Sequence, residues 1–302
     1  MKKRKTLFNI IFLSPALLCF ALLFLYPILR TVLMSFFTVP SIGDSMKKWT
    51  FAGMENYLHL FSSSLFRQSM INIMKIWVFG GLITMAAALL LAVVLTSGIK
   101  GKKFWRSVIY LPNIISAVAL ANMWLQYVFN TQYGMLKKLF SALQLRALAQ
   151  INWTSGDMIF ISMLIAYCFG CIGYYMLIIL AGIERIPNDL YESAMLDGAS
   201  PWKKFSLITF PLIRNVFRTC IMLWTVSTVN FFTWSRMFSR DTSPRTVTPV
   251  VYMYDSVFGL ASGGISERRV GAGAAVGVTV TLIVLLISLV LNKVFKEKEL
   301  EY

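Results

Sequence analysis

Apolar residues in this chain do not alternate with polar ones; they run. Ile76–Leu95 and Val270–Leu291 carry few or no charges, and about 18 or more apolar residues suffice to cross the hydrocarbon core as a helix. Six such runs are predicted, over Leu7–Phe36, Met70–Thr96, Val108–Asn130, Asp157–Gly182, Phe205–Ser235 and Val270–Asn292. Lipid accepts only helices or closed barrels, and no run shows strand alternation, so all six are read as helices. The expected fold class is an all-α membrane protein with six transmembrane helices. The first and fifth runs exceed one membrane thickness, which predicts tilt or extension into the aqueous layer.

The N-terminus, Met1-Lys-Lys-Arg-Lys5 before an apolar run, has the outline of a secretory signal. The run continues to about Phe37 with no small-x-small cleavage site. Cys19 follows Leu17-Leu18, too bulky a pair for lipoprotein-type cleavage. A retained first span is expected.

Composition sharpens the class. Of 302 residues, 57% are hydrophobic and 14% charged, against about 45–50% and ~25% in soluble domains, so a soluble protein is set aside. The net charge of +16 lies in the loops, where cytoplasmic Lys and Arg orient a membrane protein, and nucleic-acid binding is not needed to explain it. With the N-terminus inside, the inner segments 1–6, 97–107, 183–205 and 293–302 hold 14 basic residues in 50 positions. The outer segments 37–69, 131–156 and 236–269 hold 11 in 93. Both termini are therefore expected in the cytoplasm.

Several chemistries are disfavoured. No acid lies at a span centre, and Arg30, Lys75, Arg214 and Arg218 sit near span ends, where they snorkel. A proton- or ion-coupled transporter normally keeps an ionisable relay at mid-membrane. No phosphate-binding loop is present, since Gly98-Ile-Lys-Gly-Lys-Lys103 does not fit the pattern. Energy for uphill movement must come from a partner. Cys19, Cys168, Cys171 and Cys220 all fall in apolar segments. Cys168-x-x-Cys171 lacks a second pair to complete a metal site, so these read as small buried side chains. No catalytic and no metal-ligating residue is expected.

The segment from Ile186 to Pro211 is unlike the other loops. Pro187 and Asn188 break span four, Asn188 or Asp189 is placed to cap a short helix over about 189–196, and Gly198 ends it in a left-handed conformation. Leu190, Ala194 and Tyr191 fall on one side of that helix. Pro201 opens a second short helix from which Trp202, Phe205 and Ile208 return to the membrane. On physical grounds this is a surface elbow, and a plain amphipathic connector explains it as well.

Its residues carry a resemblance. Glu192-Ser-Ala194, Asp197-Gly198-Ala199, Phe205, Ile208 and Pro211 resemble the E-A-A---G---------I-x-L-P loop of binding-protein-dependent ABC importer permeases. Ser193 and Phe210 depart from it, while the Gly198-to-Ile208 spacing is kept. Pro15-Ala-Leu-Leu18, Leu25-Tyr-Pro-Ile28, Gly53-Met-Glu-Asn-Tyr57 with Leu60-Phe61, and Arg106 through Tyr110-Leu-Pro112 are similar to the sugar-importer branch, near six-span relatives of the maltose permease. The Gly-Gly-Pro usual after span five is absent, and Ser239-Arg-Asp-Thr-Ser-Pro244 stands there.

The resemblance implies a type I importer (MetI-like) fold with a cytoplasmic coupling helix. Its divisions would be an N-terminal helix and outer loop over 1–69, a permease core over 70–292 with the coupling loop at 186–211, and a cytoplasmic tail over 293–302. It implies a bacterial inner-membrane subunit that forms half of a carbohydrate pathway, for an oligosaccharide. The partners would be a second permease, a cytoplasmic ATPase dimer and an extracellular solute-binding protein. No cofactor belongs to this chain; ATP and Mg would be bound by the ATPase. Glu192 would pair with a basic residue of that ATPase and Gly198 would permit the turn. Tyr191, Ala194 and Leu196 would be packing knobs, with Asp197 in the same coupling set.

A sugar site needs aromatic faces and a few orienting hydroxyls or amides. Span four offers Tyr167, Cys171 and Tyr174 on one helical face, with Gly170 permitting close approach. Span five offers Trp224, Thr228 and Phe231, with Asn230 adjoining. Both sets resemble sugar-contacting positions of the maltose permease, and both also fit ordinary helix packing. Asn122, Trp124, Gln126 and Tyr127 line the path or anchor the outer interface; His59 is solvated or capping. Competing readings are a permease for a glycerol-phosphate-type substrate, a stand-alone secondary transporter and an intramembrane enzyme.

Overall fold

In the computed structural model, residues 2–239, 241–259 and 269–294 are described. The expected tail thus lies outside them from residue 295 on, as do Arg240 and residues 260–268 of the last outer segment. Four helices are long and apolar enough to span a membrane: Phe12–Met34, Ser64–Thr96, Met158–Ile183 and Val270–Val294. Two more spans are helix pairs with sharp bends, Lys102–Ile114 with Ala117–Val128 at 99° and Pro201–Leu212 with Arg214–Val229 at 64°. Six spans result, but the third and fifth are not the continuous helices the sequence predicts.

Both breaks have local causes. In span three Pro112 offers no N–H to the preceding turn, and Ile115 and Ser116 turn extended at ψ 136° and 143°. The Ser116 hydroxyl then accepts from the Ala119 N–H at 3.3 Å, capping the second half. In span five Pro211 lies beside the break at Ile213. A second break at Asn230 separates Arg214–Val229 from Phe232–Phe238. The run Phe205–Ser235 is overlong because it contains three helical pieces.

The chain divides into two compact units. One comprises Met1–Arg67 with Tyr252–Leu282. Here Phe37 and Thr38 pair antiparallel with Phe51 and Thr50. Asn56 Nδ2 donates to the carbonyls of Ser35 and Phe37 at 2.9 and 3.0 Å, and the Tyr57 hydroxyl to Ser35 Oγ at 2.8 Å. These bonds fix the chain as it leaves the first span. That span is apolar but has no buried residue in its most apolar window, the pattern of a helix whose surroundings are lipid.

The other unit comprises Gln68–Val251 with Ile283–Tyr302 and is organised around the 26-residue helix Met158–Ile183. Its small residues admit neighbours at backbone distance. A Cβ on Gly173 would run into the Ile109 carbonyl oxygen and lie 2.7 Å from Tyr110 Cα. Spans two and five are joined by an exchange between indoles. Trp224 Nε1 donates to the Trp77 carbonyl at 2.9 Å, and Trp77 Nε1 to Thr225 Oγ1 at 3.0 Å. Buried Asn72 donates to the carbonyls of Pro244 and Val247, both at 2.9 Å. The segment that replaces Gly-Gly-Pro is therefore anchored on span two.

Candidate functional site

The elbow after span four is built by backbone chemistry. Its first helix runs Asn188–Leu196, and Pro187, at ψ 136°, occupies the capping position with no side-chain cap. Asn188 and Asp189 thus lie in the first turn instead of capping it, and the Asp189 carboxylate faces the positive end of the helix dipole. At the other end Gly198 takes φ +70°. Its N–H reaches the Met195 carbonyl at 3.0 Å, and the Ala199 N–H reaches that of Ala194 at 2.8 Å. These two bonds are the Schellman closure. Ser200 caps the second helix by accepting from the Lys203 N–H at 3.3 Å.

The predicted coupling residues separate by direction. Glu192, Leu196, Asp197 and Gly198 are exposed and Ala194 is half-buried. Leu196 is 91% exposed and Trp202 73%, with Met195 also outward. Glu192 has no ion pair among the described residues. Tyr191 makes a contact within the chain. It is half-buried, and its hydroxyl lies 2.9 Å from Thr209 Oγ1, tying the elbow's first helix to the start of span five. Behind that bond is a cleft of about 500 Å³ lined by Lys102, Glu184, Asn188, Tyr191 and Lys204, among others.

Glu184, at the end of span four, was not singled out from the sequence. It accepts from Lys102 at 2.6 Å and from Arg106 at 2.9 Å, joining the start of span three to the end of span four. The hydrogen bond from Lys102, helped by the charge of Arg106, holds its carboxyl below the usual range. Only spacing across 78 and 82 residues creates this triad, which no local pattern displays.

The predicted substrate-path residues of spans four and five do meet. The Tyr167 ring centre lies 5.4 Å from that of Trp224 and 4.7 Å from that of Phe231. They meet as packing, however. Tyr167, Trp224, Thr228 and Phe231 are buried, Phe231 at 0% exposure. The Thr228 hydroxyl donates to the Trp224 carbonyl at 2.7 Å, and the Trp224 indole is committed to Trp77. Gly170 admits Leu120, whose Cδ2 would lie 2.9 Å from an added Cβ, so a neighbouring helix and not a ligand uses that space. Cys171 and Tyr174 are half-buried and Asn230 is exposed. These three remain reachable. Asn122, Gln126 and Tyr127 are exposed, whereas Trp124 is half-buried with its ring 5.2 Å from Phe129 and 5.3 Å from Phe169. His59 is exposed in the helix Glu55–Ser62.

Residues 84–297 match the family described as "Binding-protein-dependent transport system inner membrane component". The chain belongs to this family. It is a transport subunit of the inner membrane, not an enzyme. Among its relatives, the Probable ABC transporter permease protein YurN of Bacillus subtilis (strain 168) is 28% identical over 95% of both chains. The Arabinooligosaccharides transport system permease protein AraP of the same organism is 27% identical over 93% of this permease and 86% of that one. In solved structures the fold recurs in a bacterial ABC transporter "involved in the import of the acidic polysaccharide alginate", with TM-score 0.81, 20% identity and coverage of 98% and 97%. It recurs again in the alginate transporter in complex with an "alginate pentasaccharide-bound periplasmic protein", with TM-score 0.80, 22% identity and coverage of 97% and 95%. The permease therefore has the six-span all-α ABC importer fold.

Proposed function

We propose that this permease forms half of the translocation pathway of an ATP-driven importer for a carbohydrate, an oligosaccharide. It would pair with a second permease, receive substrate from an extracellular solute-binding protein and rest on a cytoplasmic ATPase dimer that binds ATP and Mg. Both termini would lie in the cytoplasm. ATP-driven closure of the ATPase would move the elbow as a rigid piece, and the spans would exchange inward- and outward-facing states. The carbohydrate class is supported by the oligosaccharide named for the relative AraP.

One observation carries the coupling role: the Schellman-closed elbow presents Leu196 and Trp202 outward beside a Glu192 that has no ion pair among the described residues. Apolar side chains on a polar elbow are the anchors an interface requires, and a carboxylate at its rim suits a basic partner residue. Tyr174, Cys171 and Asn230 are the substrate contacts we assign to spans four and five, because they remain accessible. Tyr167, Trp224, Thr228 and Phe231 support them from behind.

The test is purification of the chain from its native membrane in mild detergent, with the co-purifying subunits identified and assayed for ATP hydrolysis. A second permease and an ATPase are expected, with association lost on Gly198→Asp or on reversal of the Glu192 charge. A chain that arrives alone overturns the reading and brings the secondary transporter forward.

A further inference from the structure

At the end of the central helix opposite the elbow is a second cleft. Thr154 lies just before that helix and Glu184 just after it, so the two ends are about 39 Å apart at 1.5 Å per residue. The cleft holds about 580 Å³, within the range of small-molecule sites. Its polar lining includes Asn122, Gln126, Asn130, Thr131, Thr154 and Arg236. No carboxylate lines it among the described residues.

The arrangement of these groups has a sequence cause. Asn122, Gln126 and Asn130 recur every fourth residue along the second half of span three. The stretch Trp124–Val128 winds as a π turn, a distortion of the kind that recurs at functional sites. Asn122 and Gln126 make no hydrogen bond among the described residues, so their amides are open to a ligand. Asn130 is fixed by accepting from the N–H groups of Gln132 and Tyr133 at 2.8 and 3.2 Å. The Thr154 hydroxyl donates to Asn152 Oδ1 at 3.0 Å and retains lone pairs as acceptors. The Arg236 guanidinium carbon sits 5.8 Å from the Phe232 ring centre. Met237 and Phe238 supply an apolar wall.

Each amide both donates and accepts, which is what vicinal ring hydroxyls require of a partner. An apolar wall suits the C–H face of the same ring. We propose that this cleft is a saccharide subsite at the outer mouth of the permease, separate from the Tyr174–Asn230 region and gripped chiefly by the amides of Asn122 and Gln126. The inference rests on the carbohydrate reading above.

The experiment uses the whole transporter in lipid nanodiscs and saturation-transfer NMR with four probes: arabinotriose, maltotriose, diacetylchitobiose and trigalacturonate. The wild type is expected to bind at least one. Asn122→Leu combined with Gln126→Leu should lower that signal at least tenfold, and Gln126→Glu, which keeps the position polar, should lower it in the same direction. Binding that survives both cleft changes but is lost in Tyr174→Ala overturns the subsite and leaves the carbohydrate reading intact, as does binding unaffected by all of them. Failure of all four probes overturns both.

Discussion

The hydroxyls of Tyr191 and Thr209 lie 2.9 Å apart across the elbow, one on the helix that follows span four and the other on the pieces that begin span five. A displacement of the elbow therefore reaches span five through one short bond as well as through the chain. A hydrogen bond of this kind is worth about 1 kcal/mol. Tyr191→Phe is expected to lower substrate uptake about fivefold while ATP hydrolysis continues, because the two are then less firmly linked. Thr209→Ser keeps the oxygen and should behave as wild type. Equal loss of uptake and hydrolysis in Tyr191→Phe would contradict this role. Paired uptake and phosphate-release measurements on proteoliposomes decide it.

Gly198 and Gly173 should fail for opposite reasons when substituted. A Cβ on Gly198 meets nothing within 4 Å, but the backbone stands at φ +70°, where side chains cost about 1–2 kcal/mol. Gly198→Ala should insert normally and impair uptake, Gly198→Asn should be milder because Asn tolerates this region, and Gly198→Asp should abolish uptake. At Gly173 the space itself is taken by the backbone of span three. Gly173→Leu should lower the thermal midpoint sharply in fluorescence-detected size exclusion, a readout that Gly198→Ala leaves almost unchanged.

Tyr167 and Tyr174 are two turns apart on one helix yet should respond differently. Trp224→Ala and Tyr167→Ala remove buried rings, and large-to-alanine changes cost about 3–5 kcal/mol, so a loss of folded protein is expected. Tyr174 is half-buried, and Tyr174→Ala should leave yield intact while raising the substrate concentration for half-maximal uptake. Purified yield and concentration-dependent uptake separate the two effects.

The Glu184 triad makes a pH prediction. Its carboxyl is held below the usual range, first by the hydrogen bond from Lys102, so the folded value lies under the unfolded one of about 4.3. The contribution to stability is then complete above the unfolded value and disappears as pH falls through the folded one. Between pH 6 and 8 this contribution is fully present and does not change with pH. An acid-side decline below about pH 4.3 should flatten in Glu184→Gln, as read by thermal midpoints across pH.

Much of this was legible because lipid restricts the vocabulary. Six runs become six spans, and Gly198 announces a left-handed helix end that the backbone then adopts. What the runs conceal is where a span bends. Pro112 and Pro211 are visible in sequence, but apolar content is the same on both sides of each break, and hydropathy does not register direction. The aromatic stripes show the complementary difficulty. Spacing places Tyr167 with Cys171 and Tyr174 on one helical face and Trp224 with Thr228 on another, while Phe231 lies beyond the break at Asn230. It cannot say that the two faces close on each other, because that depends on Trp77, Gly80 and Gly81 of a different span. Tyr191 faces inward for a similar reason: its partner, Thr209, lies 18 residues on, beyond two turns of the chain.

Leu196 and Trp202 are exposed on the elbow, and a large apolar side chain left in water forgoes about 1.5–3 kcal/mol of burial. A molecule made in excess of whatever covers them carries a visible mark of being unassembled. Chaperones and proteases read such marks, so the abundance of this chain is expected to follow that of its scarcest companion. Supply, and not only transport, is thereby written into two side chains.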